Sequence, residues 1–274
     1  MWLTAGLWGW LAGGALLIGA ALGWFVQLPL RLTAAIMAFG SGVLLSALSF
    51  DLLEEAHQHG GLAATAGGFL FGAALFTGIN YWLSQRGAKH RKRSHRKQPT
   101  EGEQPGSGMA IAVGALLDGI PESIVIGTTM LTGKGVSLVA VAAIFLSNLP
   151  EGLSSSTGMK QAGRSVGYVF ALWAAIAFVS GLASVFGFVA FRHVAPAVVS
   201  AVTATAAGAI LAMLIDTMIP EAFEESHALA GLIAVAGFLC AFALSKQGEP
   251  SADRAANSAL ECEHAEAREI SPTR

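Results

Sequence analysis

Long apolar runs separated by short polar stretches dominate the chain. Each run contains the roughly 20 apolar residues that a helix needs to cross a bilayer. The pattern predicts eight such helices, at about residues 5–26, 32–57, 62–84, 108–130, 136–159, 166–191, 196–224 and 228–245. We therefore predict an all-α membrane protein with eight transmembrane helices.

The composition agrees with this interpretation. Hydrophobic residues make up 54% of the 274-residue chain and charged residues only 12%, whereas soluble domains carry about 25% charged residues. The 33 glycines favour close contacts between helices, because small residues let membrane helices approach one another. A soluble globular domain is therefore not expected.

One polar segment, residues 85–107, is strongly basic and interrupts the apolar pattern. Seven Lys and Arg residues lie between positions 86 and 97. Because basic loops stay on the cytoplasmic side of a membrane, we predict a solvated cytoplasmic loop here. Both chain termini and a turn at residues 57–59 then lie outside. His90 and His95 are candidate metal contacts of this loop, whereas a nucleic-acid partner is not expected beside eight spans.

The basic segment divides the chain into five predicted regions. Residues 1–84 hold helices one to three, 85–107 the basic loop, 108–160 the central pair of helices, 161–245 helices six to eight, and 246–274 a polar tail. The tail is rich in Ala and Glu, and we predict it to be disordered.

A weak internal repeat relates the second and seventh predicted helices. Residues 42–56 align without gaps on residues 208–222, with Asp51 displaced by one position from Asp216. In the predicted topology these two helices run in opposite directions. The chain is therefore expected to form an inverted repeat of three, two and three helices (3+2+3), an arrangement common among transporters.

Two near-copies of one motif lie in the central helices. They are Leu-Asp-Gly-Ile-Pro-Glu-Ser at 117–123 and Leu-Ser-Asn-Leu-Pro-Glu-Gly at 146–152. Since residues four apart share one face of a helix, Asp118 points with Glu122 and Ser147 with Glu151. A carboxylate at the middle of a membrane helix costs roughly 2.5–3.5 kcal/mol, so the paired acids predict a polar site between the two helices.

The oxygen-bearing side chains of the two motifs are candidate metal ligands. They are Asp118, Glu122, Ser147, Asn148 and Glu151. Pro121 and Pro150 each free a carbonyl oxygen one turn earlier, because proline cannot donate a backbone hydrogen bond. No Lys or Arg lies in the apolar parts of these helices. We therefore expect a divalent cation, exchanging with protons, to balance the acids.

Other polar residues of the predicted spans are candidates for an ion path through the bundle. They are Asp51, Glu55, Ser180, Asp216 and Glu221. Asn80 is expected to form hydrogen bonds between helices and not to bind the ion.

No pattern in the chain is typical of an enzyme. None of the seven His lies at the middle of a predicted span, and the His-Glu-x-x-His motif of zinc proteases is absent. We therefore predict that the protein is not an enzyme and carries no prosthetic group.

The paired Pro-Glu motifs in an eight-helix chain resemble those of the ZIP (Zrt/Irt-like) family of divalent-metal transporters. The resemblance covers residues 1–245. It implies outward termini and a metal site between helices four and five. Glu122 and Glu151 match the family motifs, while Asp118 and Ser147 stand where members carry a His or another polar ligand.

The resemblance implies transport of a divalent metal ion into the cytoplasm, with zinc as the first candidate and manganese, iron or cadmium as others. The expected partners are the lipid bilayer and the metal ion, a homodimer is a further expectation, and the expected location is the bacterial inner membrane. Two alternatives stay open. One is a relative that binds metal without transporting it, and the other is a carrier of protons or small solutes on the same scaffold.

Overall fold

The computed structural model describes residues 1–26, 28–92, 98–132, 135–226 and 229–248, which form helices and turns without any strand. The α-helices are α1 (Trp2–Phe25), α2 (Leu30–Ala47), α3 (Leu53–Leu83), α4 (Ser107–Thr129), α5 (Leu138–Gln161), α6 (Val166–Phe191), α7 (Pro196–Met213), α8 (Ile219–Ser226) and α9 (Ala230–Gly248). The predicted all-α class is confirmed for this part of the chain. The predicted disordered tail, 246–274, is wrong for its first three residues, because α9 continues to Gly248. From position 249 onwards it lies outside the described residues.

Several stretches of the described chain have the length and composition of membrane spans. Six are long and apolar enough to cross a bilayer, namely Trp2–Phe25, Leu30–Ala88, Ser107–Thr129, Leu138–Gln161, Val166–Phe191 and Pro196–Glu224. A shorter apolar helix covers Ala230–Lys246. The fold is therefore that of an all-α, multi-pass membrane protein.

The stretch Leu30–Ala88 joins the second and third predicted spans into 59 residues of helix. A straight helix of that length would measure about 90 Å, whereas the hydrocarbon core of a bilayer is about 30 Å thick. Gly61 interrupts the helix with a φ of 71°, a conformation that glycine adopts without strain. The predicted turn at residues 57–59 is wrong, because those residues are helical and the break falls at Gly61.

Two π-helical turns lie at aligned positions of the weak repeat, and each carries an acid. Leu48–Leu52 holds Asp51 between α2 and α3, and Leu214–Met218 holds Asp216 between α7 and α8. Such turns are rare in helices and frequent at functional sites. The same irregularity thus occurs in both copies.

Glycines let helix backbones touch one another in this bundle. A Cβ atom at Gly72 of α3 would collide with the carbonyl oxygen of Thr205 in α7, and one at Gly152 of α5 would collide with that of Leu16 in α1. Small residues allow this close approach in membrane bundles. The glycines therefore hold α3 against α7 and α5 against α1.

The two central helices have different neighbours. Helix α4 packs mainly against α6 and α7, whereas α5 packs mainly against α1 and α2. Direct contact between α4 and α5 is therefore limited. Side chains from the segment that precedes α4 lie between them.

Candidate functional site

The three acids of the Pro-Glu motifs lie in the interior of the bundle. Asp118 and Glu122 of α4 each expose 1% of their surface, and Glu151 of α5 exposes 3%. Asp118 and Glu122 lie one turn apart on the same face of α4, as their four-residue spacing requires. The structure thus buries all three predicted carboxylates.

The guanidinium group of Arg91 holds Asp118 in a bidentate ion pair. Its Nε donates to Oδ2 of Asp118 at 2.8 Å, and its Nη2 donates to Oδ1 at 2.7 Å. Its Nη1 donates to Oδ1 of Asn80 at 2.8 Å, and Asn80 donates to Oδ2 of Asp216 at 3.3 Å. Charge-assisted bidentate pairs are strong hydrogen bonds, and Arg91 is only 2% exposed. The predicted interhelical role of Asn80 is confirmed.

The ammonium group of Lys92 bridges the acids of the two central helices. Its nitrogen lies 2.9 Å from Oε2 of Glu151 and 3.4 Å from Oδ2 of Asp118. The sequence predicts a divalent metal ion as the balancing charge of these acids, whereas here two basic side chains of the chain itself contact them. The two cations come from outside α4 and α5, at the beginning of the basic segment.

Hydrogen bonds to the backbone fasten this segment to the bundle. Ser154 donates its hydroxyl to the carbonyl oxygen of Lys92 at 2.6 Å. Gln98 donates its amide to the carbonyl oxygens of Arg91 at 2.9 Å and Ser155 at 3.1 Å. The prediction of a loop that is solvated throughout is wrong for Arg91, Lys92 and Gln98, which are buried. The physical reason is that unpaired acids in a low-dielectric interior strongly favour a nearby cationic partner.

Glu122 has a different environment from the other two acids. Its Oε1 atom is buried and has no hydrogen-bond partner in the described part of the chain. A buried polar atom without a partner is costly, and such atoms are few in folded proteins. Glu122 therefore carries a buried acceptor atom that no described residue uses.

The two remaining predicted ligands form hydrogen bonds with backbone carbonyl groups. Ser147 donates its hydroxyl to Ile144 at 2.9 Å within α5, and Asn148 donates its amide to Ala12 of α1 at 3.0 Å. Both residues are buried. Among the described residues, neither side chain hydrogen-bonds to the motif acids.

The acids surround the two basic side chains and do not converge on one point. No group of three or more His, Cys, Asp or Glu within the described ranges could hold a metal ion in this arrangement. The cluster is an ion-pair network, and the predicted ligands are not assembled as a metal centre. A metal ion could bind here only after Arg91 and Lys92 had left, because their nitrogens hold oxygens of Asp118 and Glu151.

Two of the predicted path residues lie beside this network. Asp216 joins it through Asn80. Oγ of Ser154 lies 3.0 Å from Oε1 of Glu221, and its single hydrogen is shared between this carboxylate and the carbonyl oxygen of Lys92. Both acids are therefore close to the basic segment.

The other predicted path residues lie elsewhere in the bundle. Asp51 and Glu55 line a surface cavity together with Thr129, the last residue of α4. Thr129 is about 16 Å along the helix axis from Asp118 at 1.5 Å per residue. Ser180 is buried within α6. The structure thus places Asp51 and Glu55 at the opposite end of α4 from the basic segment.

The predicted histidine contacts of the loop stay a prediction. His90 directly precedes Arg91 in the described part of the chain, and His95 lies outside the described residues.

Reasoning from the sequence missed Arg91 and Lys92 as residues of the site. A signal was present, because the two motifs carry three acids without a neutralising cation. The basic segment holds seven Lys and Arg residues, and its Arg91 precedes Asp118 by 27 residues.

Glu101 fastens the end of the basic segment and responds to pH. Its carboxylate accepts hydrogen bonds from the backbone N–H groups of Gly108 at 2.8 Å and Gly106 at 2.7 Å, and from Arg164 at 2.6 Å. These hydrogen bonds, above all the one from Gly108, lower the pKa of Glu101 from 4.5 to about 2.

Replacing Glu101 by glutamine is expected to lower the unfolding temperature of the detergent-solubilised protein near neutral pH. Because the pKa of Glu101 is lower in the folded protein, its ionised form favours folding above pH 4.5, and this contribution is lost as the pH falls toward about 2. The difference in unfolding temperature between wild type and variant should shrink across that range. A difference that does not change with pH would contradict the role of the ionised carboxylate.

These features define a multi-pass, all-α membrane protein with buried acids between its central helices. No protein-family model matches the chain. It is 27% identical to the zinc transporter ZupT of Enterobacter sp. over 225 residues, which are 78% of this chain and 84% of the relative. It is 28% identical to the zinc transporter ZupT of Salmonella arizonae over 224 residues, again 78% and 84% of the two chains.

A plant protein extends the comparison. The chain is 28% identical over 216 residues to a protein of Arabidopsis thaliana, covering 76% of this chain and 33% of the plant protein. The chain is thus similar to zinc transporters over most of its length, and the resemblance predicted from the Pro-Glu motifs is confirmed. The bacterial relatives are named as transporters and not as enzymes.

Proposed function

We propose that the protein carries a divalent metal ion, with zinc as the first candidate, into the cytoplasm through the space between α4 and α5. One observation carries this proposal, namely that three buried carboxylates from the two helices share that space with cationic groups. Ionised acids at this depth need positive partners. The site therefore favours positively charged cargo.

The motif oxygens are the proposed ligands of the metal ion. They are those of Asp118, Glu122, Ser147, Asn148 and Glu151. Zinc accepts carboxylate ligands, although oxygen donors also suit manganese and magnesium. The names of the bacterial relatives favour zinc.

The proposed route runs from one end of α4 to the other. Asp51 and Glu55 line the cavity at the proposed outer entrance. Asp216 and Glu221 lie beside the basic segment and form the proposed exit. Basic segments favour the cytoplasmic side, which gives the route its inward direction.

The proposed topology has eight crossings in a 3+2+3 inverted repeat with both termini outside. In it, Leu30–Ala88 supplies two crossings that meet at Gly61, and Ala230–Lys246 supplies the last one. The proposed location is the bacterial inner membrane. A homodimer is also proposed, and cross-linking in the membrane would test it.

The directions of packed helices support this topology. Neighbouring residues are Gly68 with Ala201 and Gly72 with Thr205 between α3 and α7, and Gly9 with Ser184 and Gly13 with Ala177 between α1 and α6. Helices α3 and α7 therefore run parallel, and α1 and α6 run antiparallel. Eight alternating crossings require these directions, because α3 and α7 would be the third and seventh crossings and α1 and α6 the first and sixth.

Zinc influx into proteoliposomes tests the proposed function. We expect protein-dependent influx that saturates with zinc concentration, because a carrier has a limited number of sites. Manganese, iron, cadmium and magnesium added in excess should suppress the zinc signal in the order of their affinities. Protein-free vesicles serve as the control.

Two other outcomes would replace the proposal. Zinc binding without influx would identify a relative that binds metal and does not transport it. Influx of protons or of a small solute in the absence of divalent metal would identify a different carrier.

A further inference from the structure

The positive charges of the site come from a segment continuous with α3. The π-helical turn Ser84–Ala88 ends that helix, and Arg91 and Lys92 follow within four residues. We propose that Arg91 and Lys92 form a tethered cation plug, which occupies the metal site between α4 and α5 and must withdraw before metal binds. This inference rests on the proposed function and adds a regulation of the same site.

The charge of the plug equals that of the proposed cargo. Arg91 and Lys92 carry two positive charges, as a divalent metal ion does, and they contact oxygens that would ligate the metal. Exchange of the plug for a metal ion therefore leaves the net charge of the buried site unchanged. An acid left without a cation at this depth would be strongly unfavourable, so one kind of cation replaces the other.

Helix α4 provides a seat for the plug. Gly114 lies against the stem of Arg91, and a Cβ atom at that position would approach Cδ of Arg91 to 2.6 Å. A larger residue at position 114 would therefore push the guanidinium group away from Asp118. The seat requires glycine for this reason.

The attachment of the plug is suited to release. The carbonyl oxygens of Lys92 and Arg91 accept hydrogen bonds from Ser154 and Gln98, and water can replace such partners. Lys89, three residues before Lys92, is exposed. The segment can therefore withdraw to the surface without unfolding a helix of the bundle.

Zinc binding to the full-length protein in detergent tests the plug. Arg91→Ala/Lys92→Ala is expected to bind zinc chloride at least about tenfold more tightly than wild type, because the binding-competent state no longer competes with a plugged one. Arg91→Lys/Lys92→Arg keeps both charges but loses the bidentate pair with Asp118, so its zinc affinity should lie between those of wild type and the double alanine variant. Arg86→Ala/Lys89→Ala removes two charges from exposed positions of the same segment and should bind zinc like wild type.

A second variant displaces the plug without removing any charge. Gly114→Ala is expected to tighten zinc binding by at least about threefold, because it lowers the population of the plugged state. All acids and basic residues remain in this variant. A gain in affinity can therefore not come from reduced repulsion between the metal and the two basic side chains.

Acylation of lysines in the wild-type protein gives an independent measurement. Without metal, the buried Lys92 should react far more slowly than the exposed Lys89. Zinc chloride should raise the labelling of Lys92 severalfold and leave that of Lys89 unchanged, as measured by mass spectrometry. Potassium chloride at the same ionic strength controls for salt.

The outcomes separate the plug from the proposed function. If Glu151→Gln abolishes zinc binding and Arg91→Ala/Lys92→Ala leaves it unchanged, the plug is overturned and the proposed function is kept. If Lys92 stays protected from acylation at saturating zinc, its ion pair is permanent, and this result would also overturn the plug. Failure of all variants, including the double alanine variant, to bind zinc would overturn both proposals.

Discussion

Glutamine in place of Glu122 is expected to reduce zinc influx into proteoliposomes to the level of protein-free vesicles, a loss of at least about a hundredfold. Glutamine has the size of glutamate but lacks the negative charge that balances a divalent cation. Removing one partner of a buried charge pair costs roughly 3–5 kcal/mol, which exceeds a hundredfold in affinity. Glu122 gives a clean test, because its Oε1 atom has no hydrogen-bond partner to lose among the described residues.

Glu151→Gln should also abolish zinc influx, and in addition it should weaken the contact that holds Lys92 in the site. Lys92 loses its partner at 2.9 Å, and its ammonium group keeps only the longer contact with Asp118 at 3.4 Å. Glu151→Gln should therefore also increase the acylation of Lys92 without metal. Glu122→Gln leaves both contacts in place and should not.

Glu103→Gln is the matched control for both variants. Glu103 is exposed outside the spans and accepts a hydrogen bond from the backbone of Thr100 at 2.9 Å. Its replacement should leave zinc influx unchanged. Full influx in the variants of Glu122 and Glu151 would mean that the ion does not pass between α4 and α5.

The burial of the motif acids could be predicted because it depends on local sequence. Asp118 and Glu122 are four residues apart within an apolar run, and this spacing alone places them on one face of a helix. Glu151 repeats the pattern in the next run. No knowledge of distant contacts was needed to expect a polar site between these helices.

The partners of the acids could not be predicted in the same way. Seven Lys and Arg residues lie between positions 86 and 97, and the sequence alone does not distinguish among them. Which of these seven residues contacts the motif acids depends on where the preceding helix ends. Because the helix reaches the turn Ser84–Ala88 and the chain bends there at Gly87, whose φ is 101°, Arg91 and Lys92 arrive at the opening between α4 and α5.

The position of the break within α3 shows a second limit of prediction from the sequence. The polar residues 57–59 predict a turn, yet side chains there support the helix instead. Gln58 donates to Glu54 at 2.8 Å, and His59 contacts the carbonyl oxygen of Glu55 at 3.0 Å. Such contacts four residues apart stabilise a helix, so the break moves to Gly61.

A large loss of stability is expected from alanine at Gly72, where α3 touches α7. A Cβ atom there would collide with the carbonyl oxygen of Thr205, and backbone atoms cannot rotate away as a side chain can. Overpacking typically costs 1–3 kcal/mol, and a loss of about 3 kcal/mol corresponds to a fall of roughly 6–12 °C in unfolding temperature for a domain of this size. Thermal unfolding of the detergent-solubilised protein measures it.

Gly67 provides the matched control within the same helix. A Cβ atom at this position meets nothing within 4 Å, and alanine favours a helix over glycine by about 1 kcal/mol. Gly67→Ala should therefore keep or slightly raise the unfolding temperature. Since both substitutions add one methyl group to α3, equal effects would mean that the close contact between α3 and α7 does not support the fold.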